Sequence, residues 1–136
     1  GIALDYADML AFLRERMARE KGLVLVEGAG GVMSPLTDTH TNIDLAADLG
    51  LPVVLLATSY LGAVSHTLTA IDALTRRDLK PVMIVVTEPT AVALRAAPFI
   101  DELSRWTTIP LHAAPFAKTA DESRQWSADI ARALFD

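Results

Sequence analysis

The chain contains no cysteine, which excludes disulfides, Cys-ligated zinc and thiol nucleophiles and suits a reducing compartment. No apolar run approaches the ~20 residues that cross a bilayer as a helix. The first residues, Gly1-Ile2-Ala3-Leu4-Asp5-Tyr6, put no basic region ahead of an apolar one and do not read as a signal peptide. Basic clusters are missing too. With 17 acidic against 12 basic side chains the net charge is −5, which argues against a nucleic-acid surface. Also absent is any G-x-x-x-x-G-K-[S/T] segment, the usual phosphate cradle of nucleotide-binding α/β domains.

What is present reads as one globular domain: 136 residues, 51% of them hydrophobic and 21% charged, with no repeat, low-complexity tract or linker. Leu4, Met9, Leu10, Leu13 and Met17 recur at helical spacing and predict an amphipathic first helix that stops at Lys21-Gly22. The run Leu23–Glu27 reads as a first buried strand. Residues 28–41 have little periodicity and read as a long functional loop. Asn42 is the expected cap of a short helix closed by Gly50.

Apolar runs at 53–57, 82–86 and 110–112 predict three further strands, separated by helices at 63–77 and 91–106 and followed by one at 120–135. Thr119 and Glu122 form a capping box for the last helix. Trp106 and Trp126 are expected as partly buried packing residues. The order α-β-α-β-α-β-α-β-α, with strands that do not alternate, implies an α/β fold: a parallel sheet with helices on both faces.

The most informative segment is Val26-Glu27-Gly28-Ala29-Gly30-Gly31-Val32-Met33-Ser34-Pro35-Leu36. An acid at the end of a strand, followed by three glycines in four residues, puts a carboxylate beside backbone that a ligand can approach. Ligands in open α/β sheets sit at the carboxyl ends of strands, so position and chemistry agree. A second segment, Leu61-Gly62-Ala63-Val64-Ser65, opens a helix whose unpaired N–H groups and positive dipole end suit an anion. His66, just inside that helix, reads as structural, and Asp38 as a solvated loop acid or cap.

Glu27-Gly-Ala-Gly-Gly with Pro35-Leu36, Leu51-Pro52-Val53-Val54-Leu55 and Leu61-Gly62-Ala63-Val64-Ser65-His66-Thr67-Leu68-Thr69 together resemble dethiobiotin synthetase. The likeness runs from about residue 8 to about residue 118, and the first motif also occurs in related amidoligases. It implies a P-loop NTPase-like domain in which this chain matches the later part of the pattern, without the first βα segment and its phosphate loop. It further implies ATP- and Mg2+-dependent closure of a ureido ring on 7,8-diaminononanoate with CO2 or bicarbonate, in a cytoplasmic homodimer.

By that resemblance Glu27 ligates Mg2+, and Gly28, Ala29 and Gly30 face the phosphates. Gly62, Ala63, Val64 and Ser65 bind the substrate carboxylate, and Pro35 and Leu36 shape the substrate cleft. Thr87 and Glu88 stand where the family reads the adenine edge, with Thr87 in place of an asparagine, and Ala114, Pro115 and Phe116 fall in a later nucleotide-contacting loop. The missing phosphate loop and Thr87 favour one alternative, a non-catalytic remnant or binding module of the same fold; a related amidoligase-type domain also fits Glu27 but explains the Leu61–Thr69 segment less well.

Overall fold

The computed structural model describes residues 4–88 and 95–135. They fall into two compact units, one of Gly1–Leu51 with Asp72–Leu79 and one of Pro52–Ile71 with Lys80–Asp136.

In the first unit, helix α1 (Tyr6–Arg19) starts at Asp5, whose carboxylate accepts the Asp8 N–H at 3.0 Å. Helix α2 (Asn42–Leu49) ends at Gly50, which takes the left-handed conformation with φ 64°. Two bonds link these helices. The Tyr6 hydroxyl donates to Asp48 Oδ2 at 2.6 Å, and the Arg14 guanidinium donates to the Asp48 carbonyl at 2.8 Å. Burial, then the hydrogen bond to Asp48, push the Tyr6 phenol well above its ordinary pKa.

The expected cap of α2 shifts by one residue. Thr41, not Asn42, is the N-cap: Thr41 N–H and hydroxyl both donate to Asp44 Oδ2 at 2.8 Å, in a capping box. Asn42 is therefore the first helical residue, and its side chain is released for another use. The Asp44 carboxylate also meets Arg77 at 2.7 Å. The Thr41 N–H first, and then the other partners, hold its pKa below the usual carboxylate range.

Residues 23–27 form no strand, contrary to the reading of the sequence. A strand exists only where a neighbouring backbone receives its N–H and C=O groups, and among the described residues none pairs with this run. Leu23 and Leu25 are accordingly 64% and 81% exposed.

The second unit is built on a three-stranded parallel sheet in the order β1 (Val53–Thr58), β2 (Pro81–Thr87), β3 (Leu111–Ala114). Pro81 is tolerated because it opens its strand. Three helices complete the elements: α3 (Ala63–Thr75), α4 (Ala96–Leu103) and α5 (Ala120–Phe135). Residues 91–94 of the expected fourth helix lie outside the described residues.

Alternate residues of β2 face opposite ways. Met83 and Val85, with Ala114 of β3, pack against Trp126, Ile130 and Leu134 of α5. Ile84 and Val86 point to the other face and are fully buried, while α4 lies against β2 and β3 and buries Phe99 and Leu103. The sheet thus has helices on both faces, the α/β arrangement expected. Trp106 differs from expectation: it is 65% exposed, its indole N–H donating to Glu102 at 3.1 Å. At α5 the Glu122 N–H donates to Thr119 as foreseen, but the Glu122 carboxylate accepts from Lys118 rather than from Thr119. Among the described residues no helix is long and apolar enough to cross a membrane.

Candidate functional site

The glycine-rich loop of the first unit is tied down by side chains that the sequence alone did not connect to it. Asn42 Nδ2 donates to the carbonyls of Ala29, at 2.8 Å, and Gly31, at 2.9 Å. The Gly31 N–H donates to Ser34 Oγ at 2.8 Å, and Ser34 N–H returns to the Gly31 carbonyl at 2.9 Å. Asn42 and Ile43 N–H groups donate to Ser34 and Val32 carbonyls at 3.0 and 2.9 Å. Gly30 has φ 80°, a conformation that suits glycine, and a Cβ there would run into Ser34.

Glu27, immediately before this loop, is exposed. Among the described residues no three His, Asp or Glu side chains gather into a metal cage. Mg2+ needs no such cage, because it binds through one or two carboxylates together with phosphate oxygens and water. A single open carboxylate beside a backbone-rich loop fits a magnesium ion carried in with phosphate. Pro35 and Leu36 follow, with Pro35 bridged to Thr41 and the Leu36 N–H donating to the His40 carbonyl at 2.8 Å. Leu36 is half-buried and Pro35 exposed.

In the second unit a cleft of about 510 Å³ opens at the carboxyl ends of β2 and β3. It brings together Thr87, Glu88, Ala114, Pro115 and Phe116, which the resemblance assigned to nucleotide contact, with Lys118 and Ser123, which it did not, and with Trp126, expected only as a packing residue. The Thr87 hydroxyl is already engaged, 3.2 Å from the Ala57 carbonyl and 2.9 Å from the Thr58 hydroxyl. The Glu88 carboxylate accepts the Ala96 N–H at 3.0 Å, at the start of α4, and meets Arg95 at 3.3 Å. Ala96 first, then Arg95, hold its pKa below the usual carboxylate range despite partial burial. Both side chains therefore serve the protein before they serve a ligand. Lys118 and Ser123 were missed: Lys118 stands in the loop that leaves β3 and Ser123 in the first turn of α5, and neither carries a motif that ties it to the ends of the strands.

The third segment, Gly62-Ala63-Val64-Ser65, leads into α3 as the sequence implied. Gly62 has φ 92°, and the Ala63 N–H donates to the Tyr60 carbonyl at 3.0 Å. Tyr60 Oη and His66 Nδ1 lie 2.5 Å apart, so His66 braces the turn, in keeping with a structural role. Leu61 at the tip is 94% exposed.

Comparison with known proteins places these features in a family. A family model described as an AAA domain matches residues 1–114. A protein of Caulobacter sp. (strain K31) named ATP-dependent dethiobiotin synthetase BioD is 48% identical over 130 residues, covering 89% of this chain and 53% of that protein. Proteins of the same name match from Caulobacter vibrioides (strain NA1000 / CB15N), 53% identical over 65% of this chain and 41% of the relative, and from Phenylobacterium zucineum (strain HLK1), 42% identical over 85% and 50%. The chain spans about half the length of the curated relatives it matches. The resemblance to dethiobiotin synthetases read from the Glu27 and Leu61–Thr69 motifs is borne out by these likenesses. With its parallel sheet, flanking helices and the match over residues 1–114, the chain belongs to the AAA-domain family.

Proposed function

We propose that the chain is part of an ATP-dependent dethiobiotin synthetase, a ligase of biotin biosynthesis. In the reaction one amine of 7,8-diaminononanoate takes up CO2 as a carbamate and ATP phosphorylates the carbamate oxygen. The second amine then attacks the carbonyl carbon, closing the ureido ring and releasing phosphate. The observation that supports this reading best is the cleft at the ends of β2 and β3, which gathers five residues that the resemblance assigns to nucleotide contact.

In this reading the apolar cleft wall of Ala114, Pro115 and Phe116 takes the nucleoside. Glu88 acts there through the start of α4, which it holds by the Ala96 N–H. Bound Mg2+ supplies charge neutralisation on the transferred phosphoryl group. Glu27 is its protein ligand, and Gly28, Ala29 and Gly30 offer backbone to the phosphates. Gly62, Ala63, Val64 and Ser65 hold the substrate carboxylate at the start of α3, with Pro35 and Leu36 against the substrate chain. A cytoplasmic homodimer completes the proposal. The chain's own contribution to rate is positioning, which converts the ring closure into a step between groups already held in place.

The test is ADP release by the purified chain with Mg2+ and ATP, with and without 7,8-diaminononanoate and bicarbonate. Release that requires both supports the synthetase. Binding of ATP and diamino acid without turnover supports the binding half of the site alone. Neither turnover nor binding favours a non-catalytic remnant of the fold.

A further inference from the structure

We propose that Asn42 is the positioning residue of the glycine-rich loop, the group that fixes which backbone N–H faces an anion. The inference rests on the reading of that loop as phosphate-facing. Its starting point is the displaced cap of α2. Because Thr41 takes the capping role, the Asn42 amide is free to reach back across more than ten residues of chain to Ala29 and Gly31.

The orientation of that amide is not ambiguous. Only Nδ2 can donate to two carbonyls; the flipped amide would set oxygen against oxygen twice. Oδ1 is consequently left buried without a hydrogen-bond donor, a cost that the two donated bonds offset.

The consequence for the loop follows from peptide geometry. The chain has no cis peptide among its described residues, and in a planar trans unit the C=O of one residue and the N–H of the next point in opposite directions. Drawing the Ala29 carbonyl to Asn42 turns the Gly30 N–H away from Asn42, on an exposed residue. The next N–H, that of Gly31, is consumed by Ser34 Oγ. Gly30 is thus a donor that Asn42 presents, and Gly31 is not. The positive φ of Gly30 and the Ser34 side chain against it leave that residue no room for a Cβ.

The experiment uses the 15N-labelled chain as Asn42→Asp, Asn42→Ala and wild type. Asn42→Asp keeps the shape but sets a carboxylate oxygen against both carbonyls; Asn42→Ala is neutral and controls for the added charge. Amide hydrogen exchange reads the loop, and the dissociation constants of inorganic tripolyphosphate with Mg2+, and of adenosine, read ligand binding. Expected in both variants are faster exchange at Gly31 and tripolyphosphate binding weakened roughly tenfold, the size that two lost hydrogen bonds produce. Adenosine affinity stays as in wild type, and exchange within α2 rises by no more than the loss of global stability accounts for. Unchanged exchange at Gly31 overturns the latch, and altered exchange with unchanged tripolyphosphate binding reduces Asn42 to a structural residue. A wild-type chain that binds no tripolyphosphate overturns instead the phosphate reading on which the inference stands.

Discussion

The side-chain amide of Asn42 fills the space into which a Cβ on Gly28 would project: Cγ and Oδ1 each lie 2.6 Å from that point. The first glycine of the loop and the first residue of α2 are therefore one packing unit. Gly28→Ala must displace an amide that holds two carbonyls, and is expected to cost about 1–3 kcal/mol as an overpacked site. Asn42→Ala should cost about 1–2 kcal/mol through the lost bonds. Because both act on the same contact, the double variant should be no less stable than Asn42→Ala alone. Urea unfolding of the four chains checks this, and additive costs would show that the two residues do not meet in solution.

Thr87 offers a prediction about specificity. Its hydroxyl is spent on Ala57 and Thr58, so Thr87→Val should lower stability by about 1 kcal/mol. It should leave adenosine affinity within about twofold of wild type. Calorimetric titration decides the point, since a large loss of affinity would mean that the hydroxyl turns to read the base.

Much of the fold was legible because buried parallel strands are written as continuous apolar runs, as at Val53–Thr58 and Pro81–Thr87. The run at 23–27 has the same composition and forms no strand, since pairing depends on a second backbone that composition does not reveal. Thr41 as the cap of α2 was also readable: Asp44 stands three residues on, the spacing of a capping box, but the adjacent Asn42 carries an equally good capping side chain. The tie from Asn42 to Ala29 and Gly31 was not readable, because it needs the chain to double back. Glu88 shows the same limit. Its sequence position beside Thr87 suggests a ligand contact, whereas its carboxylate finds the start of α4.

The unpaired run makes its own prediction. Leu25 is 81% exposed, so Leu25→Lys should change the stability of the chain by no more than about 0.5 kcal/mol, the ordinary range for a surface site. A core leucine such as Leu103, which is fully buried, should lose about 2–5 kcal/mol on replacement by alanine. Chemical denaturation of the two variants side by side measures the contrast. A comparable loss at Leu25 would reveal that residues 23–27 are covered in solution.

Acid should destabilise the chain through two identifiable carboxylates. Asp44 and Glu88 both have folded pKa values below their ordinary 3.8 and 4.5, so each ionises more readily in the folded state than in the unfolded one. Folding then releases protons in this range, and stability rises with pH wherever the unfolded chain holds more of them. The contribution is complete above about pH 5 and is lost as pH falls through the folded values, where Thr41 N–H and Ala96 N–H lose their charged acceptors. Glu88→Gln should remove about 1 kcal/mol at pH 7 and flatten the acid side of the profile, because a neutral amide accepts the Ala96 N–H more weakly and has no proton to gain. Asp44→Asn should do the same at the start of α2, where Arg77 also loses its partner. Thermal unfolding of wild type and both variants between pH 3 and pH 7 tests the assignment. If the variants keep the full wild-type acid slope, the titrating groups lie elsewhere.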